Sequence, residues 1–215
     1  MEIKHINVDK QEYKNKNELA PQWPFRLLIC GQSGCGKTNL LSNLILKYLY
    51  FDKLYVFAKD LSEPYYEYLQ ECFNEEELSN EIESVFSSDP EDIVKVDDLD
   101  KEQQNLIIFD DYVTTKDQSI IKDLFIRGRK KNASIIYLSQ SYYKVPKDIR
   151  LQCNYISIFP SCSKKDINLV LKEHSTDDNI KKLYEEATKE KHSFFTLDLK
   201  NPEMKYRKDF IPFYL

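Results

Sequence analysis

Three of the chain's four glycines fall within six residues, in Gly31-Gln32-Ser33-Gly34-Cys35-Gly36-Lys37-Thr38. The apolar run Phe25-Arg26-Leu27-Leu28-Ile29-Cys30 precedes the cluster, and a stretch of helical periodicity (Leu40, Leu41, Leu44, Ile45, Tyr48) follows it. A buried strand, a glycine turn and a helix start leave the backbone few options. Glycines let successive N–H groups point into one concavity, which closes on phosphate oxygens. Lys37 is then spaced to reach the β/γ-phosphates, the Thr38 hydroxyl to ligate Mg²⁺, and the helix start adds its positive end to the same anion site. Gly31 to Thr38, with Asn39 beside them, are the expected nucleotide contacts, and the loop implies a bound nucleoside triphosphate.

With 215 residues, 41% of them hydrophobic and 13% aromatic, the chain suits one domain with a real core. Residues 1–20 are polar and lack sustained periodicity, and read as an arm that is disordered or docks on a partner; residues 21–215 read as the domain. No stretch approaches the roughly 18 apolar residues of a spanning helix, and Met1-Glu2-Ile3-Lys4-His5 does not open a signal peptide. A soluble, non-secreted protein is expected. The five cysteines are scattered and lack a C-x-x-C pair, which suits reduced thiols rather than a disulfide frame or zinc site. A net charge of −5 excludes bulk electrostatic coating of nucleic acid, so any DNA contact must come from a local basic surface.

Apolar runs alternate with helical patterns, which predicts an α/β fold with a mostly parallel sheet flanked by helices. Strands are expected at Phe25–Cys30, Lys53–Ala58, Leu106–Phe109, Ser134–Leu138 and Tyr155–Phe159. Helices are expected from Lys37 to about 50, Pro64 to about 73, 116 to 131, 164 to 173 and 177 to 189. Residues 74–104 are rich in carboxylates and read as a surface excursion with little regular core. The alternation in His192–Leu199 suits a C-terminal edge strand or hairpin.

Leu106-Ile107-Ile108-Phe109 ends in Asp110-Asp111. Two carboxylates at the C-terminal end of a buried strand stand where open α/β sheets bind ligands. Asp110 is placed to hold Mg²⁺ and Asp111 to orient or deprotonate an attacking water. An Asp pair also caps helices, but the upstream phosphate loop favours the metal-side reading. Gln140 ends the next strand; if that strand lies between the other two, its amide sits beside the γ-phosphate. In Arg127-Gly128-Arg129-Lys130-Lys131, cations at a helix end favour the macrodipole, yet Arg127 or Arg129 also suits an arginine finger reaching a neighbour's nucleotide, with Arg150 a weaker third choice. Lys144, Lys147 and Arg150, interleaved with Tyr142 and Tyr143, form a candidate contact for phosphate backbones.

In this order FRLLICGQSGCGKTNLL, NLIIFDDY, IRGRKKNASIIYLSQSYY and DIRLQCNYISIF resemble the viral DNA-packaging ATPases of the FtsK/HerA superfamily, and most nearly the poxvirus type. The likeness covers residues 21 to 160, with weaker support to 200. It implies a P-loop NTPase fold of the RecA/ASCE-like kind, with ATP and Mg²⁺ at the site. It also implies a homo-oligomeric ring, hexamer or pentamer, that pumps double-stranded DNA into a preformed capsid. Capsid vertex or portal proteins would be its partners, and the host cytoplasm or the virion its location. By the same resemblance Lys37, Asp111, Gln140, Arg127 and Arg129 are catalytic, and Thr38 and Asp110 hold the metal. Many superfamily members carry Glu where this chain has Asp111. A non-catalytic ATP-binding assembly factor and a nucleotide or metabolite kinase are the alternative readings. A GTPase is disfavoured because the chain contains no N-K-x-D stretch.

Overall fold

Successive residues of a strand point to opposite faces, so a strand with no polar residue must be covered on both sides. That demand shapes this protein. The structure is a computed structural model describing residues 13–75, 81–174 and 179–214. Its strands are β1 (Arg26–Cys30), β2 (Lys53–Ala58), β3 (Glu83–Ser87), β4 (Asn105–Asp110), β5 (Ala133–Ser139), β6 (Tyr155–Ile158), β7 (Phe195–Asp198), β8 (Tyr206–Lys208) and β9 (Ile211–Pro212). They form one sheet in the order β3-β2-β4-β5-β1-β6-β7-β8-β9. The first six pair in parallel, and β7, β8 and β9 continue antiparallel.

The helices are α1 (Lys37–Asn43), α2 (Pro64–Asn74), α3 (Ser119–Arg127), α4 (Lys147–Arg150), α5 (Lys164–His174) and α6 (Ile180–Ala187). After α1 the chain loosens into a π turn, Leu44–Tyr48, where the Leu49 N–H donates to the Leu44 carbonyl at 2.9 Å. Strand parity sorts the core into two layers. Leu27, Ile29, Val56, Ile108 and Ile136 pack with Leu41 and Ile45 after the loop and Leu69 and Phe73 of α2. Leu28, Phe57, Phe109, Ile135 and Tyr137 pack with Leu124 of α3, Val170 of α5 and Leu183 of α6.

Three expectations change. Residues 81–104 are not a bare excursion, because β3 pairs in parallel with β2 and Ile93, Val96 and Leu99 are buried in the second layer. Its half-exposed edge position leaves β3 only Val85 and Phe86 as apolar signal, and short 3₁₀ turns carry the three buried anchors. The helix expected to reach residue 131 ends at Arg127, and Gly128–Lys131 tighten into a 3₁₀ turn that Asn132 closes in the left-handed region at φ 53°. Residues 13–20 of the polar arm lie against their own domain: the Lys14 N–H donates to Gln104 Oε1 at 2.8 Å and Ala20 is buried. The earlier residues of the arm, and the expected start of the last helix at 177, lie outside the described residues. At the C-terminus the hairpin alternative holds, since β7 is an interior strand paired on both sides.

Candidate functional site

Because β5 lies between β4 and β1, three strands end side by side at the mouth of the sheet. The Gly31 N–H donates to the Ser139 carbonyl at 3.1 Å, and the Asp111 N–H to the Leu138 carbonyl at 3.4 Å. One strand end thus clips the phosphate loop on one side and the aspartate pair on the other. Gln140 follows directly, as the expected central position requires.

Within the loop, Gly34 (φ 76°) and Gly36 (φ 112°) occupy backbone conformations that side chains resist. Gly31 is needed for space, since a Cβ there would collide with Cys35 Sγ and meet Phe159 Cβ at 2.8 Å. Cys35 therefore works as a packing residue beneath the turn. Gln32 is anchored by its N–H, which donates to Ser161 Oγ at 2.9 Å. The Lys37 ammonium donates to the Gly31 and Gln32 carbonyls at 2.7 and 3.0 Å, spanning the concavity.

A cleft of about 300 Å³ opens here, lined by Ser33, Gly34, Gly36, Lys37 and Thr38 on one side and Asp110, Asp111 and Gln140 on the other. Glu63, the residue before α2, lines it too, and its side chain makes no capping bond to the helix. Sequence reasoning missed Glu63, because its relevance depends on β2 lying beside β4, which no local pattern reveals. It also missed Tyr66, whose hydroxyl donates to Asp110 Oδ2 at 2.6 Å. Burial pushes the Asp110 carboxyl above its ordinary range, while the Tyr66 hydrogen bond and the Lys37 charge pull the other way. Asp111 holds a left-handed backbone at φ 57°, uncommon for a residue with a side chain and frequent where a site dictates geometry.

Thr38 and Asp110 offer hard oxygen donors to one cleft, and Asp110 makes no ion pair with any described residue. That set fits Mg²⁺, which takes one or two protein oxygens and completes its shell with water and phosphate. No group of three or more His, Cys, Asp or Glu suited to a metal occurs among the described residues, as this mode of binding allows.

The remaining sequence candidates lie elsewhere. Asn39 lines a neighbouring cavity rather than the phosphate cleft. Arg127 and Arg129 stand before β5, whose seven residues span about 20 Å at ~3.3 Å each, so neither reaches its own chain's cleft. Arg127 donates to Asp123 at 2.7 Å and Asp97 at 2.6 Å, whereas Arg129 makes no ion pair with any described residue. Arg150 leaves both roles considered for it. It is buried, pairs with Glu173 at 2.7 Å and lies 4.9 Å from the Tyr142 ring centre. Tyr142 is buried as well, while Tyr143, Lys144 and Lys147 are exposed. Asp166 fastens this loop to the site, accepting from the Tyr143 N–H at 2.7 Å and Ser141 Oγ at 2.9 Å.

A parallel sheet with a glycine loop and an aspartate pair on strands flanking a polar-ended central strand defines a phosphate-loop NTPase. Residues 11–191 match the family model described as Poxvirus A32 protein, and the chain belongs to that family. This bears out the poxvirus-type likeness read from the motifs. Among solved structures, B204, the DNA-packaging ATPase from Sulfolobus turreted icosahedral virus, is similar with a TM-score of 0.60 at 14% identity, over 89% of this chain and 98% of that one. The genome packaging NTPase B204 of Sulfolobus turreted icosahedral virus 2, in complex with ATP-gammaS, gives 0.58 at 11% identity, over 89% and 98%. The cytoplasmic domain of the Thermomonospora curvata type VII secretion ATPase EccC gives 0.53 at 14% identity, over 89% of this chain and 24% of that one. No curated protein matches the sequence. Among the described residues no helix is long and apolar enough to cross a membrane.

Proposed function

We propose that this protein hydrolyses ATP and uses the reaction to drive double-stranded viral DNA into a preformed capsid. The convergence of Lys37, Asp110, Asp111 and Gln140 on one cleft, in a chain of the A32 family, carries the reading. Lys37 leaves its carbonyl contacts to neutralise the β/γ-phosphates. Asp111 accepts a proton from water as the water oxygen bonds to the γ-phosphorus and the bond to the β–γ bridging oxygen breaks, giving ADP and phosphate. Gln140 contacts the γ-phosphate and distinguishes it from product. Thr38 and Asp110 would hold Mg²⁺, which would supply charge neutralisation to the phosphate oxygens.

The site is completed in trans. Arg129 of one subunit serves a neighbour's nucleotide in a ring of six or five copies, and its lack of an ion pair among the described residues makes it a better finger than the doubly paired Arg127. Such a residue contributes about 10³–10⁵ in rate where it operates. Tyr143, Lys144 and Lys147 meet the DNA backbone, and a portal or capsid vertex receives the ring during assembly in the host cytoplasm.

Steady-state hydrolysis, with and without DNA, tests this. Lys37→Ala removes activity and Asp111→Asn lowers kcat by about 10²–10⁴, the usual contribution of a positioned base. Undiminished turnover in both variants would sink the enzymatic reading. Tight ATP binding with negligible turnover in the native protein would favour the assembly-factor alternative instead.

A further inference from the structure

We infer that Tyr66 is a positioning residue for the metal-side carboxylate, and that α2 reaches the reaction through the Tyr66 hydroxyl. The inference rests on the reading above in which Asp110 serves Mg²⁺. The hydroxyl donates to Asp110 Oδ2 at 2.6 Å, across 44 residues of chain. The sheet explains how the two meet. Ala58, the last residue of β2, stands in register beside Asp110, the last residue of β4. A short connection then leads into α2, where Pro64 opens the helix and the Tyr66 N–H donates to the Glu63 carbonyl at 2.8 Å. One turn of backbone thus sends Glu63 to the cleft and Tyr66 to Asp110.

Packing alone does not ask for this hydroxyl. Tyr66 shares the buried stripe of α2 with Leu69 and Phe73, where a phenylalanine would fill the same place. A tyrosine hydroxyl carried that deep costs free energy unless it finds a partner. Tyr66 is 1% exposed, and its partner is the acidic group that ends β4. Its ring is fixed in the core beside Tyr65, with ring centres 5.1 Å apart, so the donor stands on a rigid base. With Oδ2 engaged, the carboxylate cannot turn about its Cβ–Cγ bond without giving up the hydrogen bond. Oδ1 is therefore presented in one orientation. Supports of this kind keep metal-binding groups in place, and losing one costs about tenfold to a hundredfold in metal affinity. The bond also acts in reverse: whatever holds Asp110 still holds the first turn of α2 still.

Equilibrium binding of ATP-gammaS to the full chain, with saturating Mg²⁺ and with EDTA, tests the inference. Mg²⁺ should strengthen binding to the native protein, and Asp110→Asn should abolish that gain. Tyr66→Phe, which removes one oxygen and keeps the ring, should cut the gain by about tenfold and leave the affinity in EDTA unchanged. In an Asp110→Asn background the same substitution should add nothing, because Tyr66 acts through that carboxylate. A merely structural tyrosine would weaken binding equally with and without the metal; that result, or a full Mg²⁺ gain in Tyr66→Phe, overturns the positioning role. Hydrogen exchange on the native protein needs no substitution. The amides of Tyr66 and Glu67, which donate to the Glu63 carbonyl, should be better protected with ATP-gammaS and Mg²⁺ than with ATP-gammaS in EDTA. Equal protection overturns the link to α2. A native protein without a Mg²⁺ gain, or one whose gain survives Asp110→Asn, overturns the metal reading of Asp110 and the role of Tyr66 together.

Discussion

Arg150 and Arg129 carry the same guanidinium to opposite fates. Arg150 is sealed in beside Glu173, donates to the Val145 carbonyl at 3.2 Å, and shares Glu173 with the Tyr142 hydroxyl, which donates to it at 2.7 Å. Removing one partner of a buried pair leaves the other charge uncompensated. Glu173→Ala should therefore destabilise by about 3 kcal/mol, read as a fall in Tm of about 6–12 °C. Arg127 sits half-exposed in two surface ion pairs, and Arg127→Ala should leave the Tm nearly unchanged in the same measurement. Sequence alone could not separate these arginines, because each occurs in a basic stretch near a helix. Only the three-dimensional position of Glu173, 23 residues downstream, assigns Arg150 to the core. Lys37 and Thr38 were legible for the opposite reason, since their place at the cleft follows from spacing along one strand–loop–helix unit, and the aspartate pair was legible as the end of an apolar strand.

At the scale of elements, the turn between α3 and β5 brings Arg129 toward Arg26 and Lys200. Burial lowers the Lys200 pKa to about 8, and the nearby Arg129 and Arg26 charges add to the effect while Asp198 opposes it. The folded state therefore releases this proton more readily than the unfolded chain, where lysine keeps its ordinary value of about 10.4. Stability should be penalised below about pH 8 and recover as pH rises from 8 toward 10.5. In thermal melts, Arg129→Ala should gain on the native protein at pH 7 and lose that advantage by pH 10. A constant offset across this window would remove Lys200 from the effect. The elements themselves divide by how much of their character is local. β1, β2, β4 and β5 are runs of apolar residues that only a doubly covered strand explains. β3, β8 and β9 are short or half-exposed, so pairing with a neighbour decides them. Glu63 belongs to the same class, since it becomes a site residue only through the order of the sheet.

For the whole molecule, the proposed trans arrangement makes a quantitative demand. Subunits carrying Lys37→Ala lack a working loop but keep Arg129, and subunits carrying Arg129→Ala keep the loop. Mixed in one ring, the two inactive variants should recover a measurable fraction of native ATPase activity, set by how often an intact loop adjoins an intact arginine. Verified mixed rings with no recovery would rule out the trans role. β5 gives this demand a mechanical meaning. It is buried along its length and hydrogen-bonded on both sides, with Gln140 after its last residue and the arginine stretch before its first. A strand in that position cannot slip by one residue without turning its side chains to the wrong layers. In the proposed ring it would be a strut joining two nucleotides, one sensed at its tip and one served at its base. Displacement at either end would then be delivered to the other, and on this proposal firing order would be written into a single rod of backbone repeated in every copy.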